Sequence, residues 1–113
     1  MEFEFSPHVA FQVNDYDNAV DFYVNVLGFD IVKKHENEMD LKKGPMFFYC
    51  EKAESEKTFT FFEFKVKNVD SARDLLVSNG CEVTQEFDDK SIMVADPYGM
   101  KFHIWQDGAG ETA

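Results

Sequence analysis

Cysteine is scarce in this chain: Cys50 and Cys81 are its two, both in or beside apolar strand-like segments and neither at metal-ligand spacing. They read as buried free thiols of a reducing, cytoplasmic compartment. Positive charge is scarce too. Eleven Lys and Arg stand against 22 Asp and Glu, a formal net charge of −11, which repels phosphate backbones and anionic lipid. Nucleic acid and membrane surfaces are therefore not expected partners. No apolar run approaches the length of a membrane helix, and the opening MEFEFSPHV is too acidic and too briefly apolar for a signal peptide. There is no Gly-rich phosphate loop, no nucleophile elbow and no paired-cysteine motif. The tail from Gly108 to Ala113 is small, polar and aperiodic, the composition of a low-order terminus.

Phenylalanine, by contrast, is abundant, with 13 copies in 113 residues, so a substantial core is within reach of one compact domain spanning residues 1–113. The chain also repeats itself. HVAFQVNDYDNAVDFYVNVLGFDIV, from His8 to Val32, returns in altered form as FFEFKVKNVDSARDLLVSNGCEV, from Phe61 to Val83. Phe11 and Val13 match Phe64 and Val66, and Ala19 and Asp21 match Ala72 and Asp74. Gly28 matches Gly80 once a single residue is dropped. Such an offset marks a duplicated supersecondary unit, with module one at about residues 5–52 and module two at about 58–107.

Each copy reads as a strand, a helix and further strands. Val9, Phe11 and Val13 share one face of the first strand, and His8, Ala10 and Gln12 the other. Asp15 and Asp17 offer N-cap chemistry for a helix over Tyr16 to Leu27, with Ala19, Val20, Tyr23, Val26 and Leu27 at helical spacing and Gly28 at its end. In the second copy Phe62, Phe64 and Val66 alternate with Phe61, Glu63 and Lys65. Asp70 or Ser71 opens a helix carrying Ala72, Leu75 and Leu76, closed by Asn79-Gly80. Strands are expected over Phe29 to Lys33 and Cys81 to Phe87. Hairpins follow around Gly44-Pro45 and around Asp96-Pro97-Tyr98-Gly99. The result is βαβββ twice, an α+β architecture.

The helix of D-x-x-A-x-x-F-Y-x-x-x-L-G-F type, followed late in the chain by DPYGMKFHIWQ, resembles the vicinal oxygen chelate superfamily. That superfamily includes glyoxalase I, bleomycin-resistance proteins and extradiol dioxygenases. The resemblance spans about His8 to Gln106. It implies two βαβββ modules forming a curved mixed sheet around a cavity, and a homodimer. It also implies four inward positions that bind a divalent metal in metal-using relatives. Carried over, the first is His8, its counterpart in module two is Phe61, and the last is His103, where relatives usually place a glutamate. The remaining position is one of Phe48, Tyr49 and Cys50. Phe61 offers no ligand atom, and glyoxalase or dioxygenase chemistry needs a carboxylate beside the metal. Glu63 is on Phe61's face but a full strand repeat away, about 6–7 Å.

The expected cavity face comprises His8, Ala10, Gln12, Phe61, Glu63, Lys65, His103 and Trp105, with Phe48 or a neighbour. An aromatic wall with a few convergent polar groups is the usual make-up of a small-molecule site. Plainer roles exist for each: a hydrogen-bonded core histidine for His8 or His103, a cross-strand pair for Glu63 or Lys65, core filling for Trp105. His35 lies in a charged loop and reads as solvated, and Asp88-Asp89-Lys90 reads as a turn. Two functions follow. One is a protein that binds or sequesters an aromatic or cationic small molecule in an acidic, aromatic-lined cavity, without a cofactor, as the bleomycin-resistance branch implies. The other is a divalent-metal-dependent lyase or dioxygenase using His8 and His103.

Overall fold

The computed structural model describes residues 1–53 and 58–109, so residues 110–113 of the expected low-order tail lie outside the described residues. In chain order these residues form β1 (Glu4–Phe5), β2 (His8–Val13), α1 (Tyr16–Asp21) running into a π-helical turn (Phe22–Val26), β3 (Asp30–Lys34), β4 (Glu38–Lys43) and β5 (Met46–Lys52). Then come β6 (Phe59–Lys65), α2 (Val69–Ser78), β7 (Glu82–Asp88), β8 (Ser91–Ala95) and β9 (Lys101–Trp105). Both βαβββ copies expected from the repeat are present, and the fold is a mixed-sheet α+β fold with few helices. The chain falls into two compact units, Pro7–Thr60 and a second made of Met1–Ser6 with the chain from Phe61 onward.

In the first unit the strand order is β3-β4-β5-β2, antiparallel except for the parallel pair β5/β2. Phe11, Val13, Met39, Leu41 and Cys50 bury one face of this sheet beneath Tyr16, Ala19, Val20, Tyr23 and Val24 of the helix. Val26 and Leu27, expected on that same helical stripe, are 67% and 43% exposed. The π turn explains the difference. Leu27 N–H bonds to Phe22 C=O at 3.1 Å, five residues back, so one residue is accommodated without advancing the packing face, and Val24 takes the inward place. Asp15 holds the N-cap position without a side-chain bond to the helix backbone; its carboxylate accepts from Asn18 Nδ2 at 2.9 Å instead. Gly28 ends the segment at φ 77°, a conformation that disfavours side chains.

The second unit has the order β6-β9-β8-β7, with β6/β9 parallel and the rest antiparallel. The short β1, which the sequence pattern did not suggest, pairs antiparallel with β6 through Glu4 and Phe5. Val66, Ile92, Val94 and Ile104 pack against Val69 and Ala72 of α2. Each fully buried Val or Ile side chain contributes about 1.5–3 kcal/mol. Helix α2 opens at Asn68 rather than at Asp70 or Ser71: Asn68 Oδ1 accepts from Ser71 N–H at 2.8 Å. Gln106 Oε1 takes a second free helix donor, Val69 N–H, at 2.7 Å. Leu75 points outward, 42% exposed, while Leu76 packs on the core. In the D-P-x-G turn, Asp96 Oδ1 accepts from both Tyr98 N–H and Met100 N–H, at 2.8 and 2.9 Å. Both cysteines are free thiols; Cys50 is buried as expected, whereas Cys81 is only partly buried.

Candidate functional site

In each unit the helix covers one sheet face, and the chemistry-bearing side chains alternate onto the other. In the first unit the parallel register sets His8 beside Phe47, Ala10 beside Tyr49 and Gln12 beside Glu51. Paired residues of neighbouring strands share a face, so His8, Ala10, Gln12, Tyr49 and Glu51 lie together. His8 is buried, its ring centroid 3.9 Å from that of Tyr49. Gln12 Nε2 donates to Glu51 Oε1 at 3.3 Å. Phe48, expected on this face, lies on the helix side, 4.9 Å from the Phe29 ring, and Cys50 is in the helix-side core. Of the three residues left open there, Tyr49 is the one facing with His8. Burial, and then the nearby Glu51 and Glu38 carboxylates, push the Cys50 thiol up to about 11, consistent with an inert core cysteine.

The second unit brings together Phe61, Glu63, Lys65, His103 and Trp105. The parallel register pairs Glu63 with His103 and Lys65 with Trp105, and the antiparallel register sets Ser91 opposite Trp105, diagonal to His103. His103 Nδ1 lies 2.6 Å from Glu63 Oε1, and Nε2 lies 2.5 Å from Ser91 Oγ. A carboxylate only accepts, so Nδ1 carries the proton. In the tautomer that leaves Nε2 bare, the ring accepts from the Ser91 hydroxyl there. Glu63 and Ser91 are 8% and 5% exposed, and these bonds help to compensate each for leaving water. Phe61 and Phe87 meet the imidazole nearly edge to face, at 6.5 and 5.5 Å. Beside them Trp105 Nε1 donates to Ser6 Oγ at 3.1 Å, and Lys65 Nζ stands 5.3 Å over the indole. Lys65 also pairs with Asp107 at 2.7 Å, a bond that raises its pKa. These two edge a hollow of about 330 Å³ that also touches Glu2, Glu4, Lys67 and Gln106.

Ser91 and Phe87 were not singled out from sequence. Ser91 was visible as the one hydroxyl in the apolar strand SIMVA. Phe87 was not, because the β7/β8 register shifts between Glu86 and Asp88, and a bulge of this kind re-aims a side chain. A second, apolar hollow of about 400 Å³ lies on the helix side of this unit among Phe3, Phe62, Phe64, Leu76, Met100 and Phe102. His35, read as solvated, is 38% exposed and bonds Asp40 at 2.9 Å. With Glu38 these form the one group of three or more possible metal ligands among the described residues.

A divalent ion at His103 would take one of the two ring nitrogens, and Glu63 and Ser91 already engage both. Phe61 has no donor atom. A metal at Nε2 would have to displace the Ser91 hydroxyl, and without a donor at Phe61 the residues of this unit offer it an incomplete set.

The model of the Glyoxalase/Bleomycin resistance protein/Dioxygenase superfamily matches residues 6–104, and the chain belongs to that superfamily. It is similar in structure to a member of the same superfamily from Vibrio splendidus 12B01, with TM-score 0.63, 17% identity, and coverage of 94% of this chain and 100% of that one. A variant of homoprotocatechuate 2,3-dioxygenase from B. fuscum gives TM-score 0.61 at 21% identity over 93% of this chain, which spans only 32% of the dioxygenase. The Mn(II)-bound glyoxalase from Novosphingobium aromaticivorans gives 0.58 at 20% identity over 92% of this chain and 38% of the enzyme. An uncharacterized protein of Shewanella frigidimarina (strain NCIMB 400) is 62% identical over 26 residues, 23% of this chain and 19% of that protein. At these identities the structural likeness establishes the fold.

Proposed function

We propose that the protein binds a small aromatic or cationic molecule on the sheet face that carries Phe61, Phe87, His103 and Trp105, without a resident metal. The observation that carries this reading is the engagement of both His103 nitrogens by Glu63 and Ser91. Phe87 is 42% exposed against the imidazole and offers an accessible ring. Stacking on it contributes about 0.5–1.5 kcal/mol, and a ligand cation over an aromatic ring a further 0.5–2 or so. Net charge of −11 favours such a cation over an anion. The competing reading, a lyase or dioxygenase with His8 and His103 as metal ligands, draws on the Mn(II)-bound glyoxalase similarity. It makes the opposite demand on His103.

Metal content separates the two. Purified protein incubated with Ni, Zn, Mn and Fe(II) and then desalted is expected to retain no stoichiometric ion. Titration with cationic aromatic compounds is expected to change the fluorescence of Trp105, the sole tryptophan. One ion per chain, lost in both His8→Ala and His103→Ala, would overturn the binding reading in favour of the enzyme.

A further inference from the structure

We propose that Ser91, His103 and Glu63 form a nucleophilic triad able to take the acyl group of a small carboxylic ester. This inference rests on the same face being a small-molecule site, but it assigns that face a reaction. The order is hydroxyl, imidazole, carboxylate: Ser91 Oγ at 2.5 Å from His103 Nε2, and Glu63 Oε1 at 2.6 Å from Nδ1. A carboxylate on Nδ1 holds the tautomer whose Nε2 lone pair faces the serine proton. That is the requirement for activating a hydroxyl at neutral pH.

The arrangement is built from three neighbouring strands, and folding alone does not call for it. Ser91 begins β8, whose next three residues, Ile92, Met93 and Val94, are all buried. An alanine there would pack without needing a partner, as would an apolar residue in place of buried Glu63. Instead two buried polar groups each reach one nitrogen of the same imidazole, between the rings of Phe61 and Phe87. The His103 side chain keeps 18% exposure and adjoins the half-exposed Phe87. An ester with an apolar or aromatic acyl group matches that edge.

The step balances without a redox partner. Ser91 Oγ bonds to the ester carbonyl carbon as its proton passes to His103 Nε2. The carbon–oxygen bond to the alcohol then breaks, and Nε2 returns the proton to the leaving alcohol. Water, deprotonated by the same nitrogen, attacks the acyl carbon; the bond to Ser91 Oγ breaks, Nε2 passes its proton to that oxygen, and the acid is released. Ser91 is the nucleophile and His103 the base; Glu63 is a positioning residue.

The test is covalent labelling of the full-length protein by a small ethyl fluorophosphonate, in which Ser91 Oγ would displace fluoride from phosphorus. One adduct per chain, mapped to the peptide carrying Ser91, is expected. It should be absent in Ser91→Ala and slowed by about 100-fold or more in His103→Gln, the usual worth of a general base. Glu63→Gln should slow labelling and Glu63→Asp restore part of the rate, with the fold of both variants intact by circular dichroism. No adduct on folded protein, or an adduct whose rate ignores His103→Gln, overturns the proposal. Trp105 fluorescence that responds to cationic aromatics in a protein that never labels would sink the triad alone. Labelling without any such response would instead sink the cation-binding reading.

Discussion

Neighbouring strands decide what each polar side chain can do. His8, on the first strand of module one, stacks on Tyr49, while His103, on the last strand of module two, is bonded at both nitrogens. The mismatches between the copies, Phe61 for His8, Glu63 for Ala10 and Lys65 for Gln12, supply the carboxylate that fixes His103 and the cation over Trp105. Cys50 makes a different residue-scale statement. Its thiol, ordinarily near 9.0, is raised to about 11, foremost by burial. The folded state thus holds this proton more tightly than the unfolded chain does. The resulting stabilisation is complete below about pH 9 and is lost as pH rises through 11. Melting temperature should fall across that window, and Cys50→Ala should remove part of the fall. A slope identical in both proteins would show that Cys50 is not the titrating group. Cysteine-directed alkylation of folded protein at pH 8 should accordingly favour the partly exposed Cys81.

The two helices show how a duplicated element diverges without leaving its sheet. The repeat offset is 53 residues at Asp21/Asp74 and 52 at Gly28/Gly80, and the π turn over Phe22–Val26 lies between those two points. The extra residue of the first copy is thus held locally as a bulge, a common fate of single insertions in helices. Deleting the exposed Asn25 should therefore restore a regular helix, like α2, and leave a cooperative melt. Deleting Asp74, the match of Asp21 in α2, should rotate the following turn by about 100° and carry Leu76 off the core, abolishing that melt. Comparable losses from both deletions would refute the insertion account. Periodicity made every strand but β1, both helices and their glycine ends legible because it is local. Leu75, Val26 and Leu27 were misplaced because one residue's phase depends on helix type and on what the sheet presents. Glu63, Lys65, His103 and Trp105 could be grouped from alternation alone. The side of Phe48 could not, since it depends on the register of β5 against β2, and no local pattern specifies that pairing.

At the scale of the whole molecule the dominant property is charge. Twenty-two acidic side chains against 11 basic ones put every approaching ion in a negative field. Lys65 and Arg73 are already paired with Asp107 and with Glu86. A field of this origin is long-ranged at low ionic strength and is screened beyond about 10 Å at 0.1 M salt. Contact terms such as stacking on Phe87 are not screened in this way. Salt therefore divides the two contributions to binding. For a cationic aromatic ligand followed by Trp105 fluorescence, raising salt from about 0.02 to 0.5 M should weaken binding by roughly tenfold, chiefly through the screened field. A neutral ligand of the same ring system should change by less than about twofold, since its affinity comes from stacking and burial. Equal salt responses for the two would mean that the acidity serves solubility alone. The cation would then have to be dropped from the proposed ligand, leaving the aromatic ring as the part recognised.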